Sequence, residues 1–599
     1  MLAINNPGSH ATHLQLSGKM NFSFAIIGGG LTATCMLYQF VEKLRQKIHL
    51  NLLDPSGIEI QIFEKQATFG PGFPHSDKYV MPFHITNMCA KDMGILFGSP
   101  GDFHDWVESN HVALQDRFPL IDTVFSSPDV GQDPCVHYPR AVMGEYLKTR
   151  FQEAVQLAQN LGLKVDLHSN SEVISLEENG DRIRLGVKRL SSGTVFRSDA
   201  HRVLLAIGHW FEEDEQEHYF TSPWPAKNLL RKIPAGADVA IIGTSLSAIE
   251  TVLTLSSDGK FIRDDSAELV YVPAENPRRF ALYSRRGLLP KVRGKMGLYK
   301  NTHLTHENVR HLLAENNGYL TLETVFQLLN SDLEAAYGRP IKWSRILNPS
   351  GRPQDLLGQY LKDAKNGDAS NGELIWQTVL HQSFHMAREL YLSLTLDDRK
   401  RFDQTFTSLF FTHAATQPAI NAEKLLALMK AGLVKVFKLG DDYRFLKNDA
   451  SGCYEFIYQD IHGQTKKDAY GYVVNARGQQ KSLEANPSAL AGNLLKSETV
   501  QIEETARVGH DAAPEGQTAA GRVTGFQTYR TGSIWIDPAT HHVMQKGPDG
   551  TVSPSNAIFA VGAVTRGQIL DASMAYGIAE STARIAGDLA DYLTQASIK

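Results

Sequence analysis

Three consecutive glycines, Gly28, Gly29 and Gly30, constrain this chain more than any other feature. They break an apolar run, Phe22 to Ile27, that suits a buried parallel strand. Behind them Ala33, Met36, Leu37, Phe40, Val41 and Leu44 recur at helical spacing. A strand, a glycine turn and a helix in succession make the phosphate end of a dinucleotide site. Gly28 allows the tight turn and Gly30 lets the backbone approach a pyrophosphate. The free N–H groups at Leu31 and Thr32, with the positive end of the helix, then hold the anion. Ala33 stands at the third position of G-x-G-x-x-G, a tolerated variant.

The alternating run IEIQIF (Ile58 to Phe63) predicts the second strand, ending on Glu64 and Lys65. An acid there would bond ribose hydroxyls, although the motif expects it sooner, so an insertion lies between. Asp54 is the rival acid. Glu64 is favoured because its strand alternates cleanly, whereas Asp54 runs into a Pro-Ser-Gly turn.

At 599 residues the chain exceeds one ordinary core, so two or three domains are expected. A net charge of −5 gives no electrostatic reason to expect nucleic acid or an anionic membrane as partner. There is no apolar stretch long enough to span a bilayer, and residues 1–20 lack the pattern of a secretory signal and read as a disordered tail. The four cysteines, Cys35, Cys89, Cys135 and Cys453, form no C-x-x-C. That counts against a disulfide scaffold, a zinc ribbon and a dithiol enzyme, and points to a reducing cytoplasm.

After Glu64 the glycines and prolines of FGPGFPHS force a loop, and HITN predicts a short strand ending on Asn87. With GGGLTA, IFEK, GPGFPHS, HITNMCAKDM, GDFHDWV and YPRAVMGEYL in this order, the chain resembles the bacterial FAD/NAD(P)-binding flavoproteins with a split dinucleotide fold, flavin-dependent N-hydroxylating monooxygenases among them. Met143 stands where that pattern often has Tyr. The resemblance implies that Gly72, Phe73, Asn87 and Met88 line an FAD site. It also makes the strand RVLLAIGHW, breaking on Gly208, the crossing between two nucleotide domains. Between these, a helix from Phe151 and strands at LKVDLH, EVISLEE and RIRLGVKRL would supply the small sheet that packs beside such a core. SPWPA (Ser222 to Ala226) reads as a linker.

A second turn follows in DVAIIGTSLSAIETVLTL (Asp238 to Leu255), where Gly243, Thr244, Ser245 and Ser247 repeat the logic of the first. Ser245 replaces the second glycine and would crowd a pyrophosphate, although its hydroxyl could bond a phosphate oxygen. The next predicted strand ends on Arg285 and Arg286 rather than an acid. Guanidinium groups there suit a 2′-phosphate, hence NADP over NAD. From Tyr299 to Gly432 helical stripes dominate. His381 and His385 sit i, i+4 within them, without the flanking Glu or third ligand that a metal site needs, so no metal is expected. VVNARG resembles the string at which the family rejoins its second domain, and Glu503 to Thr524 reads as a loop. The last unit, IFAVGAVTRGQILDASMAYGIAE, breaks on Gly562. By resemblance it returns to the first domain and sets a helix end against the flavin. Ala563 stands where relatives often have Asp; Asp571 is the nearest acid, its role open.

The expected fold is therefore α/β, two dinucleotide-binding (Rossmann-like, three-layer ββα) domains with a large helical insertion. The expected order is 1–20 tail, 21–230 FAD-binding, 231–298 NAD(P)-binding, 299–432 insertion, 433–490 NAD(P)-binding and 491–599 FAD-binding. The expected cofactors are FAD and NADP, and the expected chemistry is that of an NAD(P)H-using oxidoreductase, monooxygenase-like, on a small organic substrate. A flavin reductase, or an FAD-binding interaction protein with a degenerate second site, is the alternative. No catalytic acid, base or nucleophile is identified.

Overall fold

The strand Phe22–Ile27 is buried along its whole length because it lies inside a sheet covered on both faces. It pairs in parallel with Ile58–Phe63 on one side and Arg202–Leu205 on the other. The protein is described by a computed structural model over residues 21–121, 135–211, 217–369, 372–478, 482–506, 528–547 and 549–598. The expected tail at 1–20 and most of the expected loop from Glu503 to Thr524 lie outside the described residues; its first residues belong to a strand, Ile502–Ala506.

The full sheet of this first unit runs His542–Lys546, Val552–Ala560, Arg202–Leu205, Phe22–Ile27, Ile58–Phe63, Lys164–His168. All its pairings are parallel except that between the first two strands. LKVDLH therefore joins the main sheet as an edge strand rather than the small sheet. Its register with Ile58–Phe63 continues the parallel ladder, and the small antiparallel sheet is built from Ser171–Asn179, Arg182–Arg189 and Val195–Ala200 instead. HITN forms no strand either: only an isolated bridge joins Ile85 to Pro139.

The helix Leu31–His49 covers one face of the main sheet with Arg140–Asn160 and the C-terminal helix Ala575–Ile598. Met36, Leu37, Phe40 and Leu44 supply its buried stripe, and Lys47 and His49 in its last turn suit the negative end of its dipole. The buried Gln39 side chain donates to Ala579 O and Thr582 Oγ1, both at 2.8 Å, which fixes the C-terminal helix against it. The small antiparallel sheet and the helix Ala489–Lys496 cover the other face. Helix, parallel sheet and second sheet make a three-layer ββα unit.

The second unit repeats the plan. Its sheet runs Val434–Lys438, Arg279–Ser284, Asp238–Ile242, Tyr472–Asn475, Tyr219–Phe220, parallel throughout. Helix Leu246–Leu255 packs on one face, and an antiparallel meander, Arg444–Asn448, Cys453–Gln459 and Thr465–Tyr470, packs on the other. The helical insertion lies between the strands Arg279–Ser284 and Val434–Lys438. Its helices Pro353–Asn366 and Ala419–Lys430 join the core of the second unit through Leu357, Tyr360, Ala422, Leu425 and Leu428. Other parts reach the first unit: Arg399 forms a buried ion pair with Glu503 at 2.7 Å and donates to Gly567 O at 2.6 Å. No described helix is long and apolar enough to cross a membrane.

Candidate nucleotide cleft

Gly28 has φ +105, and a Cβ there would stand 2.2 Å from the carbonyl oxygen of Ala206, at the end of the neighbouring strand. The turn can therefore close only with glycine. Gly29 is equally excluded to larger residues by Glu64 and Phe69. Gly30 differs, with φ −87, a conformation open to any residue. A Cβ on it would face only the backbone of Gly72, whose Cα lies 3.2 Å from the ideal Cβ position. Gly30 and Gly72 thus bare two stretches of backbone to each other, a cradle that one side chain would fill.

No side chain caps Gly30, and the first backbone hydrogen bond of the helix is Thr34 N to Gly30 O. The N–H groups of Leu31, Thr32 and Ala33 therefore open the helix without a side-chain cap, as an anion site requires. Gly562, at φ +94, comes over the same helix end, its ideal Cβ position 3.0 Å from Thr32 Oγ1; Ala563 behind it is buried. Glu64 is buried at the end of its strand. Its Oε2 accepts from Gly29 N at 2.6 Å and its Oε1 from Gln66 N at 2.8 Å, so the carboxylate is oriented beside the turn. Asp54 instead caps its own exposed turn, accepting from Ser56 N at 2.9 Å. The structure brings together Gly28 to Ala33, Glu64, Gly72 and Gly562. Lys65, next in the chain to Glu64, and Asn87 are exposed, Met88 is half-buried on the core, and Gly208 (φ +66) has open space where a side chain would stand.

The second turn reproduces the first. Gly243 has φ +129, and its Cβ would stand 2.6 Å from Ala476 O, at the end of the adjoining strand, as Gly28 stands to Ala206. Ser245 occupies the helix cap at φ −93, ψ −167, close to Gly30 at φ −87, ψ −158. The serine thus meets no backbone penalty, and its side chain is exposed. Thr244 Oγ1 lies 2.6 Å from Leu288 O and 3.1 Å from Ser284 Oγ, holding the loop that carries Arg285 and Arg286 beside the turn. Those two arginines reach only backbone carbonyls of the insertion, Gln404 O at 3.5 Å and Thr405 O at 3.4 Å, and form no ion pair among the described residues.

Between the units lies a cavity lined by Phe73, Pro74, Val80, Arg140, Trp224, Ser247 and Glu250. Phe73 belongs to the first unit's Gly-rich loop and packs against Tyr79, Phe211 and Trp224. Arg140 pairs with Glu250, and His84 Nε2 lies 2.9 Å from Thr254 Oγ1. Burial lowers the pKa of His75 and of His209 to about 3, reinforced by Arg140 and Arg566 respectively, so both imidazoles stay neutral. Arg566 packs on the Phe411 ring of the insertion and has no ion pair among the described residues. Asp571 pairs with Arg388 of the insertion at 3.4 Å, and burial raises its pKa.

The sequence reading missed Arg140, Glu250, His84 and Arg566. His84 lies in HITN, Arg140 in YPRAVMGEYL and Arg566 in AVTRGQIL, segments noted for other residues, and Glu250 is the single carboxylate inside the apolar helix LSAIETVLTL. The reading also missed that Cys89 and Cys135 meet: they are joined as a disulfide with Cα atoms 5.0 Å apart, where the absence of a C-x-x-C had counted against a disulfide scaffold. Their separation of 46 residues hid it. His381 and His385 pack near each other and near Phe384 and Tyr576.

Residues 25–210 match the family model described as FAD-NAD(P)-binding. The chain is 22% identical over 481 residues to the uncharacterised protein YdhS of Escherichia coli strain K12, covering 76% of this chain and 83% of that one. Among solved structures, ornithine hydroxylase from Pseudomonas aeruginosa superposes with a TM-score of 0.47 at 11% identity, over 96% of this chain and 100% of that one. L-lysine 6-monooxygenase from Pseudomonas syringae gives 0.45 at 13% identity, over 95% and 99%.

Proposed function

We propose that this chain, whose residues 25–210 match the family model described as FAD-NAD(P)-binding, is an NADPH-dependent flavoprotein oxidoreductase of monooxygenase type, acting on a small organic substrate. The observation that carries this reading is the repetition of one turn in two units: Gly28 against Ala206 and Gly243 against Ala476. Two such turns in one chain suit two nucleotides, one held and one exchanged. The first fits FAD, because its helix end is uncapped, the Gly30–Gly72 cradle bares backbone, and Glu64 stands oriented for ribose hydroxyls. The second suits NADPH, because Arg285 and Arg286 stand at the adjoining strand end without carboxylate partners among the described residues.

Bound FAD would supply the redox chemistry, accepting hydride from the nicotinamide and passing electrons to oxygen. The chain's own work is to place and enclose. The N–H groups of Leu31 to Ala33 hold a pyrophosphate, and Glu64, itself fixed by Gly29 N–H, holds a ribose. Arg285 and Arg286 bind the 2′-phosphate. Arg399–Glu503 and Arg388–Asp571 tie the insertion to the first unit, so that the insertion keeps water from the reacting centre. Neutral His209 and the nearby Arg566, which packs on Phe411 of the insertion, would orient a substrate bearing a carboxylate or other anion.

The test uses the full chain reconstituted with FAD. NADPH added without oxygen is expected to bleach the flavin absorbance, and oxygen to restore it. A protein that stays colourless when offered FAD overturns the reading. One that holds flavin but is not bleached is a binding protein. Bleaching followed by peroxide release, with every candidate amine and acid left unmodified, makes it a reductase.

A further inference from the structure

Cys89, Cys135 and His137 belong to neither glycine turn, and their Sγ, Sγ and Nε2 atoms all fall within 4.8 Å of one another. Backbone pairing puts them there independently of the sulfur–sulfur bond. Thr86 N donates to Tyr138 O and Ala90 N to Val136 O, both at 2.8 Å, and a further bridge joins Ile85 to Pro139. The segments 85–90 and 136–139 are thus zipped side by side, with Cys89 on one and His137 on the other. Cys135 immediately precedes the second.

The histidine is fixed in a particular tautomer. Its Nδ1 lies 2.9 Å from Thr86 O, a carbonyl that can only accept, so Nδ1 carries the proton and Nε2 keeps its lone pair. That lone pair faces Cys135 Sγ at 3.3 Å. An imidazole tied through one nitrogen to a carbonyl, with the other aimed at thiolates, is how proteins orient a histidine toward a metal.

We propose that Cys89, Cys135 and His137, once the disulfide is reduced, form a Cys2His site for zinc or a similarly thiophilic divalent ion. Tetrahedral zinc with Zn–S ~2.3 Å and Zn–N ~2.0–2.1 Å places sulfur and nitrogen ligands ~3.5 Å apart and the two sulfurs ~3.8 Å apart. The Cys135 Sγ–Nε2 distance of 3.3 Å is already close to the first spacing, and Cys89 Sγ lies within 4.8 Å of the same nitrogen. Reduction meets the second, because thiols no longer bonded separate to van der Waals contact while the zipped backbone keeps them within reach. A dithiol reductant supplies two electrons and two protons, becoming a disulfide itself, and the ion then displaces both thiol protons. Three protein ligands leave the fourth position to solvent, and Cys135, only half-buried, gives access. Metal and disulfide are alternative braces for the loop carrying Asn87 and Met88, and oxidation by peroxide, which takes the two electrons and forms water, would release the ion.

The test reduces the full-length protein with a phosphine, removes the reductant without air, and titrates Co2+. The expected result is a thiolate-to-cobalt charge-transfer absorption saturating at one equivalent, abolished by Cys89→Ser or Cys135→Ser. His137→Gln should weaken Co2+ binding at least about tenfold, as loss of even an outer partner does in metal sites. Because a variant could fail to fold, the wild type is also alkylated with and without Zn2+: the ion should protect Cys89 and Cys135 while Cys453 reacts unchanged. Absence of the absorption, equal affinity in His137→Gln, or no protection of the two cysteines would each overturn the assignment.

Discussion

Arg140 and Glu250 lock the two units together: Nη2 of the arginine lies 2.8 Å and its Nε 2.9 Å from the same Glu250 Oε1. Arg140 opens a helix of the first unit and Glu250 lies inside the helix that follows the second unit's glycine turn. The carboxylate is almost sealed from solvent, and burial holds its pKa above the usual range against the pull of Arg140. Removing one partner leaves a buried charge uncompensated. Glu250→Ala is therefore expected to destabilise the protein by about 3–5 kcal/mol, more than the double replacement of Arg140 and Glu250 by Leu. Chemical denaturation of both variants measures this; a single variant as stable as the wild type would mean the pair is solvated.

The two kinds of glycine should respond differently. Gly28→Ala puts a methyl 2.2 Å from Ala206 O at a positive φ, so the soluble yield and melting temperature should collapse. Gly30→Val has an allowed backbone and should fold, yet fill the cradle opposite Gly72 and lose FAD. Flavin absorbance after gel filtration reports the second outcome. A Gly30→Val protein that purifies with full flavin would place the pyrophosphate elsewhere.

Replacing Arg285 and Arg286 together by Ala should weaken NADPH more than NADH. A charge-assisted hydrogen bond contributes about 1.5–3 kcal/mol, so the NADPH dissociation constant should rise by roughly tenfold or more while that for NADH moves little. Equal losses for the two nucleotides would show that these arginines do not read the 2′-phosphate.

His84 provides a pH dependence. Its Nδ1 accepts from Met81 N at 3.2 Å, and its Nε2 faces Thr254 Oγ1, a contact between the units. Burial, reinforced by the charge of Arg140, lowers its pKa from 6.5 to about 3. Between those values the unfolded chain binds a proton that the folded chain refuses. Stability is therefore intact above pH 6.5 and falls as pH drops toward 3. His84→Gln should remove from that slope up to about 1.4 kcal/mol per pH unit. Urea midpoints measured across this range decide it, and an unchanged slope would mean His84 is protonated in the fold.

The parts of this architecture that repeat were legible in the sequence. Both glycine turns, the strand ending on Glu64 and the insertion are each written in a local pattern of apolar spacing and glycine placement. Glu64 could be preferred to Asp54 because a neighbouring Pro-Ser-Gly announces a turn. What escaped depends on contacts between distant segments. LKVDLH has the alternation of a small-sheet strand, and only its parallel register with Ile58–Phe63 assigns it to the main sheet. Arg140 finds Glu250, and Cys89 finds Cys135, through folding that no spacing rule anticipates. Ser245 is a different case: the sequence raises the crowding of a pyrophosphate by its side chain, whereas its backbone, like that of Gly30, suits any residue.

The order of strands in the first sheet has a consequence for how the protein is made. Arg202–Leu205 takes its outer neighbour, Val552–Ala560, from roughly 350 residues further along. At ribosomal rates of about 5–20 residues per second, that edge waits roughly 20–70 s for its partner. The second sheet, by contrast, has its last strand in hand once Asn475 has emerged. The unit begun second is thus the first that can finish, and the ribosome carries an open, apolar sheet margin until the C-terminal strand arrives.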